Sequence, residues 1–158
     1  ALTMCVAGWD AYLNNLIPEF FGETSDPTQI PFNSLHMTMR NNAERLLRKF
    51  NTPNFENSRN IVLCCTGFDP YAYWTWARRG WGVVQVQQRL NEILRVRHSF
   101  AHGFAIPAYA WTTGAGGRVR LTVACIDDAI ALFSNLVRNT DKGLAAYIRS
   151  NYGRVVAW

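Results

Sequence analysis

The sequence predicts an all-α fold, an antiparallel bundle of four to five helices carrying a small β-hairpin-like flap. Three observations predict it. Apolar residues recur at helical spacings, mostly of three and four, through four separate stretches. The connections between those stretches are short to moderate, which makes successive helices antiparallel neighbours. Only the segment on either side of Gly114 to Gly117 alternates with a period of two.

Leu2, Val6, Trp9, Leu13, Leu16 and Phe20 form the first stripe, and Pro18 is expected to kink or end that helix. Gly22 to Pro31 is turn-like. Asn33 or Ser34 is the expected cap of a second helix with Leu35, Met39, Ala43, Leu46 and Phe50 on one side, closed by Pro53. Asn51 to Asn60 reads as loop. The run Ile61 to Cys65 fits either a strand or a buried helix, and the aromatic "GFDPYAYWTWARRGWG" that follows has no period, which predicts irregular backbone. A third clear stripe carries Val83, Val86, Leu90, Ile93, Leu94 and Ala101, with Gly103 as its terminating glycine and Pro107 beyond. The glycine cluster is then expected to turn a β-hairpin or an extended flap, whose arm Val119, Leu121 and Val123 offers one apolar face. A last helical pattern begins near Asp127 and carries Ile126, Ile130, Phe133, Val137, Leu144 and Ile148 as far as Gly153. Gly143 inside it marks a candidate break.

A chain of 158 residues suits one domain, either complete or cut from something longer. With 49% hydrophobic and 17% charged residues it is a packing sequence and not a disordered one. The formal charge of +5 favours acidic partners, nucleic acid above all, yet the arginines are dispersed, so any basic surface must be assembled by folding. Cys5, Cys64, Cys65 and Cys125 lack C-x-x-C spacing and read as reduced thiols. No apolar run approaches membrane-spanning length and no export signal opens the chain, so a cytoplasmic protein without a membrane partner is expected. No H-E-x-x-H or Cys/His ligand spacing occurs, "GAGG" lacks the lysine of a phosphate loop, and no cofactor is expected.

The stretch "RVRHSFAHG", Arg95 to Gly103, carries the chemistry. On a regular helical wheel Arg97 falls about 20° from the centre of the apolar stripe. A guanidinium there needs an acid, backbone carbonyls, a water-filled cleft or another subunit. Arg95 points elsewhere. His98 and His102, at i and i+4, project together near the helix's C-terminal end, where the macrodipole favours cationic side chains. Arginine can hold a phosphate in its planar fork and histidine can give or take protons near neutrality, the minimum equipment for metal-free RNA cleavage. Plainer roles stand beside these: a buried ion pair to Glu92, Asp127, Asp128 or another acid for Arg97, carbonyl contacts for His102, and hydrogen bonding or packing for His98. His36 lies off its helix's apolar face and reads as a surface residue.

"LNEILRVRHSFAHG" resembles the signature of the HEPN superfamily, in which an arginine is followed after four to six residues by histidine near the end of a bundle helix. Here Arg97, His98 and His102 match it, with Ala101 and Gly103 closing the motif. The upstream aromatic segment and Pro107 are similar to the bacterial branch associated with RNA processing and defence. The resemblance covers fewer than twenty residues. It implies a metal-independent endoribonuclease leaving 2′,3′-cyclic phosphate ends, with Arg97 on the phosphate, His102 shuttling protons and His98 assisting. It further implies a homodimer with a composite active site, acting as a toxin or antiviral effector restrained by an antitoxin or a fused regulatory domain. The alternative within the resemblance is a non-catalytic nucleotide- or protein-binding dimerisation module. Phe104 stands where toxins silenced by nucleotidylation have a tyrosine, so silencing at that position is not expected.

RNA contacts are expected from Arg78, Arg79, Trp74, Trp76 and Arg95, aromatic rings stacking on bases and arginines meeting phosphates. Tyr71, Tyr73 and Trp81 are further candidates for stacking. An aromatic mini-core packed under a long loop is the other reading of the same rings.

Overall fold

Among the described residues of the computed structural model (1–26, 28–114 and 116–156), the chain is all-α, with five helices and no β-strand. No helix among them is long and apolar enough to cross a membrane. The first helix, α1 (Leu2–Thr24), runs through Pro18 without ending. Proline removes the donor that the Asn14 carbonyl would receive, but Leu16, Ile17, Phe20 and Phe21 are all buried around it and hold both sides of the defect in the core.

The next helix, α2 (Ile30–Leu47), starts three residues before the expected cap. Pro31 sits in its first turn, where a missing N–H has no intrahelical acceptor to lose. Only Ala43 and Leu47 of this helix are buried; Leu35, Met39 and Leu46, expected to face inward, are exposed.

The expected loop over Asn51 to Asn60 is half helix. Asn54 caps α3 (Phe55–Thr66), its side chain accepting from the Asn57 amide at 2.8 Å, and the helix buries Phe55, Ser58, Ile61, Val62 and Cys65. That settles the Ile61 to Cys65 run as helix. Burial first, and the neighbouring Cys64 second, push the Cys65 thiol up to about 11, while Cys64 is exposed. Iodoacetamide at mildly alkaline pH is therefore expected to alkylate Cys64 and spare Cys65 until the chain is unfolded. Peptide mapping by mass spectrometry reads this directly, and equal labelling of the two in the native protein would contradict the burial.

The aromatic segment is irregular, as its lack of period predicts, but it is not loose. It contains two short 3-10 turns, Tyr71–Tyr73 and Ala77–Arg79, and one bridge between Trp76 and Trp81. Trp74 and Trp76 are buried. The Trp74 indole donates to Thr140 Oγ1 at 2.9 Å, and the Thr75 carbonyl accepts from both Asn135 and Asn139, at 2.7 and 2.8 Å.

Helix α4 (Val83–Ala101) follows and ends at Gly103, whose φ of 68° is the left-handed conformation glycine adopts freely. Beyond it the described residues form no β-strand, so no hairpin is seen there. A single bridge joins Thr113 to Val119, Gly114 N donates to the Arg118 carbonyl at 3.0 Å, and Ala115 lies outside the described residues. Thr122 then caps α5 (Val123–Tyr152), accepting from Cys125 N, so the second arm is consumed by helix after Leu121.

Helix α5 is one unbroken rod of 30 residues. Gly143 is no break in it. An ideal Cβ there would meet Phe68 Cζ at 2.5 Å and Tyr73 Cγ at 2.9 Å, so glycine allows the aromatic segment to press against the helix. Gly143→Ala is expected to destabilise the fold by about 1–3 kcal/mol through overpacking, read as a lowered urea midpoint at unchanged slope. The core lies where α1, α3, α4 and α5 meet the aromatic segment. Trp9 donates to Ser58 Oγ at 3.0 Å, and the Tyr12 hydroxyl meets Asp141 Oδ1 at 2.6 Å, tying α1 to α3 and α5.

Candidate functional site

The site begins with the way α4 is buried. Its buried line runs Val86, Leu90, Ile93, Val96 and Ser99, and the last three steps are each of three residues. Steps of three turn the line by about 60° each time relative to the helix. The apolar stripe therefore drifts, and Arg97 is not at its centre. Val96 is fully buried, whereas Arg97 is half-buried on the flank.

Arg97 lines an open cleft of about 810 Å³ between α1, the α2–α3 connection and the C-terminal half of α4. Arg95 and His98 line the same cleft. Arg97 makes no hydrogen bond or ion pair with any described residue. Glu92, Asp127 and Asp128 are not its partners. Arg89 binds Asp128 at 2.8 Å and Glu92 at 3.7 Å, with its guanidinium 5.1 Å from each of the Trp81 and Trp111 rings. Arg79 pairs with the same Asp128, Trp111 donates to Glu92 at 2.9 Å, and Asp127 is exposed in a second cleft.

His98 and His102 stand one above the other at the end of α4, ring centroids 4.2 Å apart. Phe104 continues the stack, 5.9 Å from His102 and 6.4 Å from His98. Both histidines are exposed. His98 belongs to the cleft wall and His102 does not, so of the motif residues the structure brings Arg97 and His98 to the cleft and leaves His102 one turn away.

The opposite wall is acidic and amide-rich. It carries Asp10 from α1, Glu56 from the first turn of α3, and Asn51 and Asn54 before it, while Asn91 joins the lining from α4 itself. Burial raises the Asp10 carboxyl above its ordinary range, and its Oδ1 has no hydrogen-bond partner among the described residues. Burial acts on Glu56 in the same direction, but hydrogen bonds from Gln87 and Asn91 outweigh it and hold that carboxyl below the usual range. These residues were missed from the sequence. The signal was present in α1, where Thr3, Val6, Ala7 and Asp10 share a face at spacings of three, one and three.

The expected RNA contacts are dispersed by the fold. Trp74 and Trp76 cannot stack on bases, because both are inside the core. Arg79 is committed to Asp128 and lies 5.3 Å from the Trp76 ring. Arg78 and Arg79 line the second cleft, of about 750 Å³, which shares no lining residue with the Arg97 cleft. Of the five, Arg95 alone is placed beside Arg97. Among known proteins, no family model, no curated protein and no solved structure matches this chain.

Proposed function

We propose that the chain is a metal-independent endoribonuclease of the HEPN type, cleaving RNA at the Arg97 cleft. The observation that carries this reading is Arg97 itself, a half-buried guanidinium on a cleft wall with no hydrogen bond or ion pair to any described residue, beside a pair of imidazoles whose ring centroids are 4.2 Å apart. Leaving a half-buried cation unpaired is costly, and an incoming phosphate supplies the missing anion.

In the proposed reaction the RNA 2′-oxygen bonds to the adjacent phosphorus as the bond to the 5′-oxygen breaks, leaving a 2′,3′-cyclic phosphate and a 5′-hydroxyl. One imidazole accepts the 2′-hydroxyl proton and another donates to the departing 5′-oxygen. Arg97 binds the non-bridging oxygens and stabilises the charge that builds there. Arg95 extends the basic wall along the RNA backbone.

A homodimer fits this arrangement. Phe100 and Phe104 are exposed beside the histidines, and an apolar end covered by a second copy would bring two motifs together. Such an effector would be harmful unless restrained by an antitoxin or a regulatory domain. One observation favours a second reading, a non-catalytic nucleotide-binding module: His102 lies outside the cleft that Arg97 lines.

The deciding experiment incubates the purified chain with end-labelled single-stranded RNA and tRNA in EDTA. Arg97→Ala and His102→Ala proteins of unchanged fold and oligomeric state are run alongside. Cleavage by the native chain only, with cyclic phosphate ends, supports the nuclease. Retained nucleotide binding with no cleavage by any of the three favours the binding module.

A further inference from the structure

We infer that one flank of α2 is a docking surface for an amphipathic helix that carries acidic residues along its edges. Phe32, Leu35, Met39 and Leu46 are 61%, 58%, 49% and 40% exposed. Their spacings of three, four and seven place them within about 60° of one another around the helix. A line of large apolar side chains, interrupted between Met39 and Leu46 by the exposed Asn42, differs from the scattered single exposures normal on a protein surface.

The line does not face straight outward. It lies about 50–90° round the helix from the buried Ala43 and Leu47, and beside it a groove of about 340 Å³ runs between α1 and α2, lined by Phe20, Phe21, Leu35, His36 and Met39, with the oppositely charged Asp26 and Arg154 also in its lining. His36, expected on the surface, has its Nε2 buried there with no partner among the described residues. A flat bilayer cannot enter such a notch, whereas side chains projecting every three or four residues from a helix fill it as ridges fill grooves.

Charge selects the partner. The only acid in α2, Glu44, is paired with Arg40 at 3.3 Å. Arg45 and Lys49, on the solvent side of the line at the C-terminal end of α2, are exposed with no acidic partner among the described residues. A second copy packed on this face would add the same cations, while an acidic helix would neutralise them.

The probe is a synthetic three-heptad peptide with Leu at the a and d positions and Glu on either side, compared with a twin carrying Lys in place of Glu. Fluorescence anisotropy is expected to show the Glu peptide binding, added salt weakening it, and the Lys twin binding about tenfold or more weakly. Leu35→Asp and Met39→Asp, both at exposed positions and checked for fold by circular dichroism, are expected to reduce binding by about tenfold or more. No binding of the Glu peptide, equal binding of the twins, or unchanged binding by both variants overturns the inference. So does a dimer that both variants convert to monomer in sedimentation, which would assign the face to a second copy. Capture on anionic phosphatidylserine vesicles that both variants abolish would overturn it as well.

Discussion

Arg97→Ala is expected to slow RNA cleavage by about 10²–10³-fold, the loss found when one preorganised donor to a developing oxyanion is removed. The side chain makes no contact of its own with an acid or carbonyl among the described residues, so its removal is expected to change stability by less than about 1 kcal/mol. That combination distinguishes catalysis from structure. A residue held for an internal ion pair would lose both together. Arg97→Lys sharpens the test, because lysine keeps the charge but not the planar two-pronged grip, and only a small part of the activity should return. Full activity in Arg97→Ala at intact fold would move the reaction away from this cleft. Comparing His98→Ala with His102→Ala then asks which imbalance is greater: His98 is on the cleft wall, and a larger loss at His102 would require the reacting phosphate to sit toward the end of α4, within reach of a second copy.

Trp74→Ala is expected to cost about 3–5 kcal/mol of stability, lowering the melting temperature by on the order of ten degrees for a chain of this size. The indole is fully buried, packs edge-on to Phe55 at 5.0 Å and to Trp9 at 5.8 Å, and donates to Thr140. Truncation leaves a cavity at the junction of α1, α3 and α5. The same substitution would barely affect folding if this ring were a surface platform for RNA bases, so calorimetry separates the two roles. Arg78→Ala, at an exposed position, is the control expected to leave the melting temperature unchanged.

Much of the bundle was legible because its signals are local. Three-and-four stripes mark α1, α4 and α5, and Gly103 and Gly153 end their helices in the left-handed conformation that glycine favours. What was not legible depended on distant partners. Asn51 to Asn60 is loop-like in composition, but Asn54 caps a helix, and Ser58, polar on paper, is buried because Trp9 reaches it from 49 positions away. The alternation of Val119, Leu121 and Val123 is a fair strand pattern that a threonine cap interrupts. The motif itself was legible as residues but not as geometry. Placing Arg97 at the centre of its stripe assumed a straight apolar line, whereas burial shifts to Val96 and Ser99 as the helix leaves the bundle. The acids nearest in sequence were fair candidates to pair with it, and only folding reveals that Arg89 and Arg79 take Glu92 and Asp128.

The contacts that hold the aromatic segment also set a timetable for the chain during its synthesis. Trp74 and Thr75 are made long before the residues that receive them; the Trp74–Thr140 bond alone spans 66 positions. At a ribosomal rate of about 5–20 residues per second, the indole waits about 3–13 seconds for its partner. Until α5 emerges, the tryptophan-rich segment has Trp9 of α1 and Phe55 of α3 to pack on, but its face toward α5 stays uncovered. The nascent chain is then most exposed to wrong association, and α5, the fifth of these helices, is the one that completes the interior.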